Sequence, residues 1–98
     1  MSFVAVSKVK YPEALKKEIQ DVGRAMIPTA KRQPGFISIA FHQSTASNET
    51  MMYWEWESQA DHEACMACAD WQAVMEKSKT LFEAEGVAFS LETFDRLA

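Results

Sequence analysis

The sequence predicts an α+β fold: a ferredoxin-like β-α-β-β-α-β chain whose four strands form one antiparallel sheet with helices on one face. Three observations carry this. Four short runs rich in Val, Ile, Phe, Tyr and Trp stand apart from two longer stretches with helical spacing. Those runs alternate with the helical stretches in the order strand, helix, strand, strand, helix, strand. The two middle runs carry apolar residues on both faces, which a sheet covered on one side alone does not need.

The first run, "FVAVSKVK" at 3–10, is valine-rich and alternates towards its end, so it reads as a strand. Pro12 suits the first turn of a helix. Leu15, Ile19, Val22, Met26, Ile27 and Ala30 then recur at helical spacing, predicting an amphipathic helix from 12 to 32. Gly23 lies by that stripe and allows a close backbone approach. Pro28 removes one helical hydrogen bond near the end, and "QPG" at 33–35 stops the helix.

"FISIAFHQ" at 36–43 is the second strand, "STASNE" a polar hairpin loop, and "TMMYWEW" at 50–56 the third strand. Strict alternation puts Met52, Trp54 and Trp56 on one face and Met51, Tyr53 and Glu55 on the other. It also puts His42 on one face with Phe36, Ser38 and Ala40. Ser58 followed by Asp61 resembles a capping box and starts a short helix through Cys68. Asp70 is placed to cap a further helix, with Trp71, Val74, Met75, Ser78 and Phe82 on one face. Gly86 sits where a helix-ending glycine belongs, and "VAFSLETF" at 87–94 is the fourth strand.

With 98 residues the chain has room for one domain and one core. Hydrophobic residues at 48% exclude a disordered chain, and a net charge of −4 argues against nucleic acid as the main partner. The charge is uneven: residues 1–33 hold seven Lys/Arg against three acids, including Lys16, Lys17, Arg24, Lys31 and Arg32 on the first helix. The plain reading is a solvated helix face, the sharper one an anion-attracting or partner-docking surface. No window approaches a membrane span, and no leader-like apolar segment follows a basic head. Two cysteines then predict free thiols in a cytoplasmic protein.

Helices on one side of the sheet leave the other bare. A bare face with Met, Tyr and Phe on it marks an interface, so a homodimer formed sheet to sheet is expected.

"QPGFISIAFHQS", "YWEWESQA", and Trp71 fifteen residues beyond Trp56, in this order behind the strand–Pro–helix opening, resemble the antibiotic biosynthesis monooxygenase (ABM) family of dimeric α+β barrels. The resemblance runs over nearly the whole chain. It implies a cavity between sheet and helices, and a homodimer. It also implies, for some members, oxidation without metal or flavin: an electron-rich phenol is bound, its anion favoured, and its electrons passed directly to dioxygen. Many members place a histidine in the helix after the third strand. That position falls on Cys65 here, with His62 one turn earlier. The haem-degrading branch uses an Asn, a Trp and a His, at positions that fall near Ala5 or Val6, on Cys65 and on Met75, so haem chemistry is not expected.

Two histidines are therefore candidate bases, His62 beside the implied cavity and His42 at the end of the second strand, since imidazole titrates near neutrality. The plainer reading of His42 is an edge residue bonded to its own loop. Trp54, Trp56, Trp71 and Phe82 can form an aromatic wall between sheet and helices, and the plainer reading of that wall is core. Cys65 and Met75 join the tryptophans as pocket residues by the resemblance, and Cys65 is expected to be alkylated before Cys68. His62, Cys65 and Cys68 lack the further ligands a zinc site requires. There is no G-x-G-x-x-G, P-loop or Gly-x-Ser-x-Gly pattern, so no nucleotide cofactor and no metal is expected. The expected function is a cofactor-independent monooxygenase acting on a small aromatic or quinol-type molecule. The alternatives are a non-catalytic or stress-related binding module using the same cavity, and an isomerase of a small metabolite.

Overall fold

The computed structural model describes residues 1–98. The chain runs β1 (Phe3–Lys10), a 3-10 turn (Glu13–Leu15), α1 (Lys16–Lys31), β2 (Phe36–Gln43), β3 (Glu49–Trp56), α2 (Gln59–Ala67), α3 (Ala69–Phe82) and β4 (Ala88–Asp95). The strands form one sheet in the order β2-β3-β1-β4, each neighbour antiparallel. This is the ferredoxin-like α+β arrangement that the sequence predicts.

Local chemistry explains the boundaries. Pro12 opens a 3-10 turn, closed by the Leu15 amide on the Pro12 carbonyl at 2.9 Å, and the α-helix proper begins only at Lys16. Short 3-10 turns are common at helix starts. Pro28 lies inside α1, which still runs to Lys31. Ser58 caps α2 by accepting from the Asp61 amide at 3.2 Å, the pairing its sequence spacing predicts. Asp70 does not cap α3. The extended backbone of Cys68 ends α2 and starts α3, leaving Asp70 in the first turn to meet Arg32 at 3.2 Å. Gly35 adopts φ +81°, and a side chain there would run into the Asp61 carboxylate, so glycine is required on both counts.

Register decides which side chains see the helices. Phe3, Ala5, Ser7 and Val9 of β1 lie opposite Trp56, Trp54, Met52 and Thr50 of β3. All eight are buried, and this is the helix-facing side. A bulge between Phe36 and Ser38 shifts β2, so Phe36 faces Trp56, while Ile39 and Phe41 face Trp54 and Met52. Phe36 thus leaves the face it was expected to share with Ser38, Ala40 and His42. The bulge inserts one residue and reverses the alternation behind it.

The main core joins Phe3, Ala5, Trp54 and Trp56 to Met26 and Ala30 of α1, Cys65 of α2 and Trp71 of α3. A smaller cluster of Val9, Tyr11 and Ile19 closes the far end. Every residue of β4 is exposed. No helix is long and apolar enough to cross a membrane.

Candidate functional site: an apolar cavity with one imidazole

Between the sheet and the helices lies a cavity of about 250 Å³. Its floor is the helix-facing side of the sheet, from Phe41 on β2 through Met52 and Trp54 on β3 to Phe89 and Leu91 on β4. Met26 of α1, Met66 of α2, and Trp71, Met75 and Phe82 of α3 form the walls. The room exists partly because of Gly23, which also lines it: a Cβ there would collide with the Phe41 ring. Trp54 and Trp71 meet edge to face with centroids 4.9 Å apart, fixing the cavity's aromatic corner.

His62 reaches this cavity from the first turns of α2 and is 4% exposed. Phe3 lies tilted against its ring at 5.4 Å, and Trp54 and Trp56 approach edge on, each at 6.0 Å. Three aromatic neighbours and no hydrogen-bonding protein group make this a poor place for a cation. Burial pushes the imidazole pKa below its usual 6.5, opposed only by the charge of Glu63. At neutral pH the ring is therefore neutral and able to take up a proton.

Of the residues expected at the site, the structure brings His62, Trp54, Trp71 and Met75 together around one space. Trp56 and Cys65 lie behind the wall rather than on it, each with no exposed surface. The Cys65 thiol is pushed up to about 11, chiefly by burial and then by Cys68. The expectation that Cys65 is the addressable thiol does not fit this placement, because Cys68 is the partly exposed one of two free cysteines. His42 is exposed on the opposite side of the sheet, across from Met51, and does not approach the cavity.

Sequence reasoning passed over Ser7 and Thr50, the two hydroxyls that face the cavity. The signal was present. In "FVAVSKVK" a serine interrupts the face carrying Phe3, Ala5 and Val9, and Thr50 precedes Met52, Trp54 and Trp56. No group of three or more His, Cys, Asp or Glu side chains is placed to hold a metal ion.

The sequence matches the antibiotic biosynthesis monooxygenase profile over residues 2–77. The chain belongs to the antibiotic biosynthesis monooxygenase family. No curated protein matches it. Among solved structures it is similar to a variant of SnoaB from Streptomyces nogalater, described as a cofactor-independent oxygenase, with TM-score 0.82 and 13% identity over 99% of this chain and 94% of that one. It is similar to protein SO0527 from Shewanella oneidensis, with TM-score 0.82 and 15% identity over 97% and 90% of the two chains. Rv0793 from Mycobacterium tuberculosis gives TM-score 0.78 and 12% identity, covering each chain in full (100%). At such identities the likeness is one of fold, and this ABM-family chain shares that fold from end to end.

Proposed function

We propose that this ABM-family chain is a cofactor-independent monooxygenase acting on a small aromatic or quinol-type molecule. One observation carries the reading: a cavity walled by Trp, Phe and Met holds one buried imidazole that burial keeps neutral at pH 7. Membership of the family and the SnoaB-like fold support it.

The chemistry follows from the surroundings. Flat apolar walls take up an aromatic ring and exclude water. His62 accepts the proton of a substrate hydroxyl, and the imidazolium then sits beside the anion it has created. That pairing offsets part of the cost of two charges in an apolar site. The electron-rich anion reduces dioxygen. One oxygen atom bonds to the ring carbon, and the other leaves as water with the two hydrogens the substrate gives up. A hydroxyarene and dioxygen thus become a quinone and water, with no external reductant.

Oxygen uptake with a panel of hydroquinones and hydroxynaphthalenes tests this, with the quinone followed by absorbance. The reading requires consumption above the uncatalysed rate and one quinone formed per dioxygen. Binding without consumption favours the second reading, a non-catalytic binding module. That reading draws on the absence of any carboxylate hydrogen-bonded to His62 to strengthen it as a base.

We also propose a homodimer formed through the outer sheet face. Tyr53 and Met51 lie half-buried there, beside Val6 and the exposed Ala40 and Phe94. A light-scattering mass near the 11.1 kDa of one chain at micromolar concentration would contradict it.

A further inference from the structure

Ser7 and Thr50 are 8% and 2% exposed, and neither hydroxyl has a hydrogen-bond partner within the protein, although both side chains line the cavity. Neither oxygen is enclosed in the way the Trp54 and Trp56 indole N–H groups are, so both hydroxyls open onto the cavity and are free to pair with what enters it.

Their placement relative to His62 is informative. The imidazole lies against Phe3 and Trp56 of one row and Trp54 of the next. Along β3 from Trp54, the row of Met52 and Ser7 is two residues away and the row of Thr50 and Val9 is four away. At about 3.4 Å per residue these rows lie roughly 7 Å and 14 Å along the strand from Trp54, the nearer edge of the histidine end. The rest of the lining there is apolar: Met52, Phe41 and Leu91 share the row of Ser7, and Met26 comes from α1. The cavity is a greasy slot with a proton acceptor at one end and two free hydroxyls towards the other.

We propose that Ser7 and Thr50 are specificity-determining residues that hydrogen-bond an oxygen at the far end of a fused-ring aromatic ligand whose other oxygen lies at His62. This rests on the reading of the cavity as an aromatic site. The ligand class is a fused-ring aromatic oxygenated at both ends, in preference to a singly hydroxylated ring system. The apolar lining holds the rings of either kind equally. Only the second oxygen takes up the two hydroxyls, so discrimination comes from pairing them.

Anaerobic tryptophan-fluorescence titration separates the two probes without turnover: a naphthol, and a naphthalenediol with its hydroxyls on opposite rings. The diol is expected to bind the native chain more tightly. The double variant Ser7→Ala/Thr50→Val is expected to lose about tenfold in affinity for the diol and less than about twofold for the naphthol. The single variants identify which hydroxyl is used. Their thermal midpoints without ligand should stay level, because neither hydroxyl is bonded to another protein group. Equal losses for both probes, or no loss for the diol, would overturn the inference while leaving the aromatic site intact. If neither probe binds the native chain, the aromatic reading fails and the inference fails with it.

Discussion

The two faces of β3 show how one strand serves two purposes. On the helix side Met52, Trp54 and Trp56 are all buried, and the indole N–H groups of both tryptophans are enclosed without a partner. On the outer side Met51 and Tyr53 are half-buried, and Glu55 is closed over by the chain's own ends. The Ser2 hydroxyl donates to its carboxylate, and the Arg96 guanidinium donates to both oxygens at 3.0 Å. Apolar mass fills the inner face and tolerates unpaired polar groups near a cavity. On the outer face the buried Glu55 carboxylate is fully partnered. The difference teaches that a free polar group on the inside is read as functional only where it opens onto the cavity: the enclosed Trp56 N–H meets nothing, whereas the Ser7 and Thr50 hydroxyls line the space.

Replacing one residue on each face gives the largest contrast. Trp56→Ala empties a fully buried site and should cost about 3–5 kcal/mol in urea unfolding. Tyr53→Ala should cost clearly less and show instead as a lower mass in light scattering. Equal destabilisation would abolish the distinction between core face and docking face.

Gly23→Ala sharpens the comparison within the inner face. The added methyl displaces the far end of the Phe41 ring, which has the cavity to move into. Alanine also favours the helix by about 1 kcal/mol. Stability is therefore expected to change by less than about 1 kcal/mol, while a naphthol that binds the native chain loses affinity. Unchanged affinity would show that Phe41 does not shape the site.

Acid should distinguish the two faces by pH window. The His62 pKa is lowered in the folded chain, so its contribution is complete above the ordinary 6.5 and is lost as pH falls through the folded value. The Glu55 pKa is lowered by the Ser2 hydroxyl and then by Arg96, so its contribution is lost only at lower pH, below the ordinary 4.5. Urea midpoints across pH 7 to 3 should thus fall in two stages. His62→Phe should remove the first and Glu55→Gln the second. A first stage that survives His62→Phe would place the titrating group elsewhere.

The smallest effect expected is a difference in alkylation rate. Cys68 is half-buried and should react before Cys65, which is fully enclosed and whose thiol is pushed up to about 11. Mass spectrometry after brief iodoacetamide treatment reads the order directly.

Much of the fold was legible because period and punctuation agreed. The stripe from Leu15 to Ala30, the Ser58 cap and the alternation of "MMYWEW" each pointed to the element that forms. The bulge after Phe36 was not legible: no glycine or proline within β2 marks it, and it changes which residues share the face of His42. The site was legible by half. Trp54, His62, Trp71 and Met75 converge because strand and helix periods each put them inward. Cys65 and Trp56 point inward too, but inward residues divide between wall and filling according to tertiary packing, which no spacing encodes. Ser7 and Thr50 needed only the question of why a polar residue sits on an apolar face.

The central claim, that a buried neutral imidazole in an aromatic cavity drives oxidation by dioxygen, is tested most directly in an oxygen electrode. The most reactive hydroxynaphthalene is compared at pH 7 with the native chain and with His62→Gln, a variant whose circular dichroism and naphthol affinity are checked first. Loss of a general base predicts that the catalysed rate falls by about 10²–10⁴-fold while binding persists. A His62→Gln protein that binds the substrate and consumes oxygen at the native rate would contradict the account.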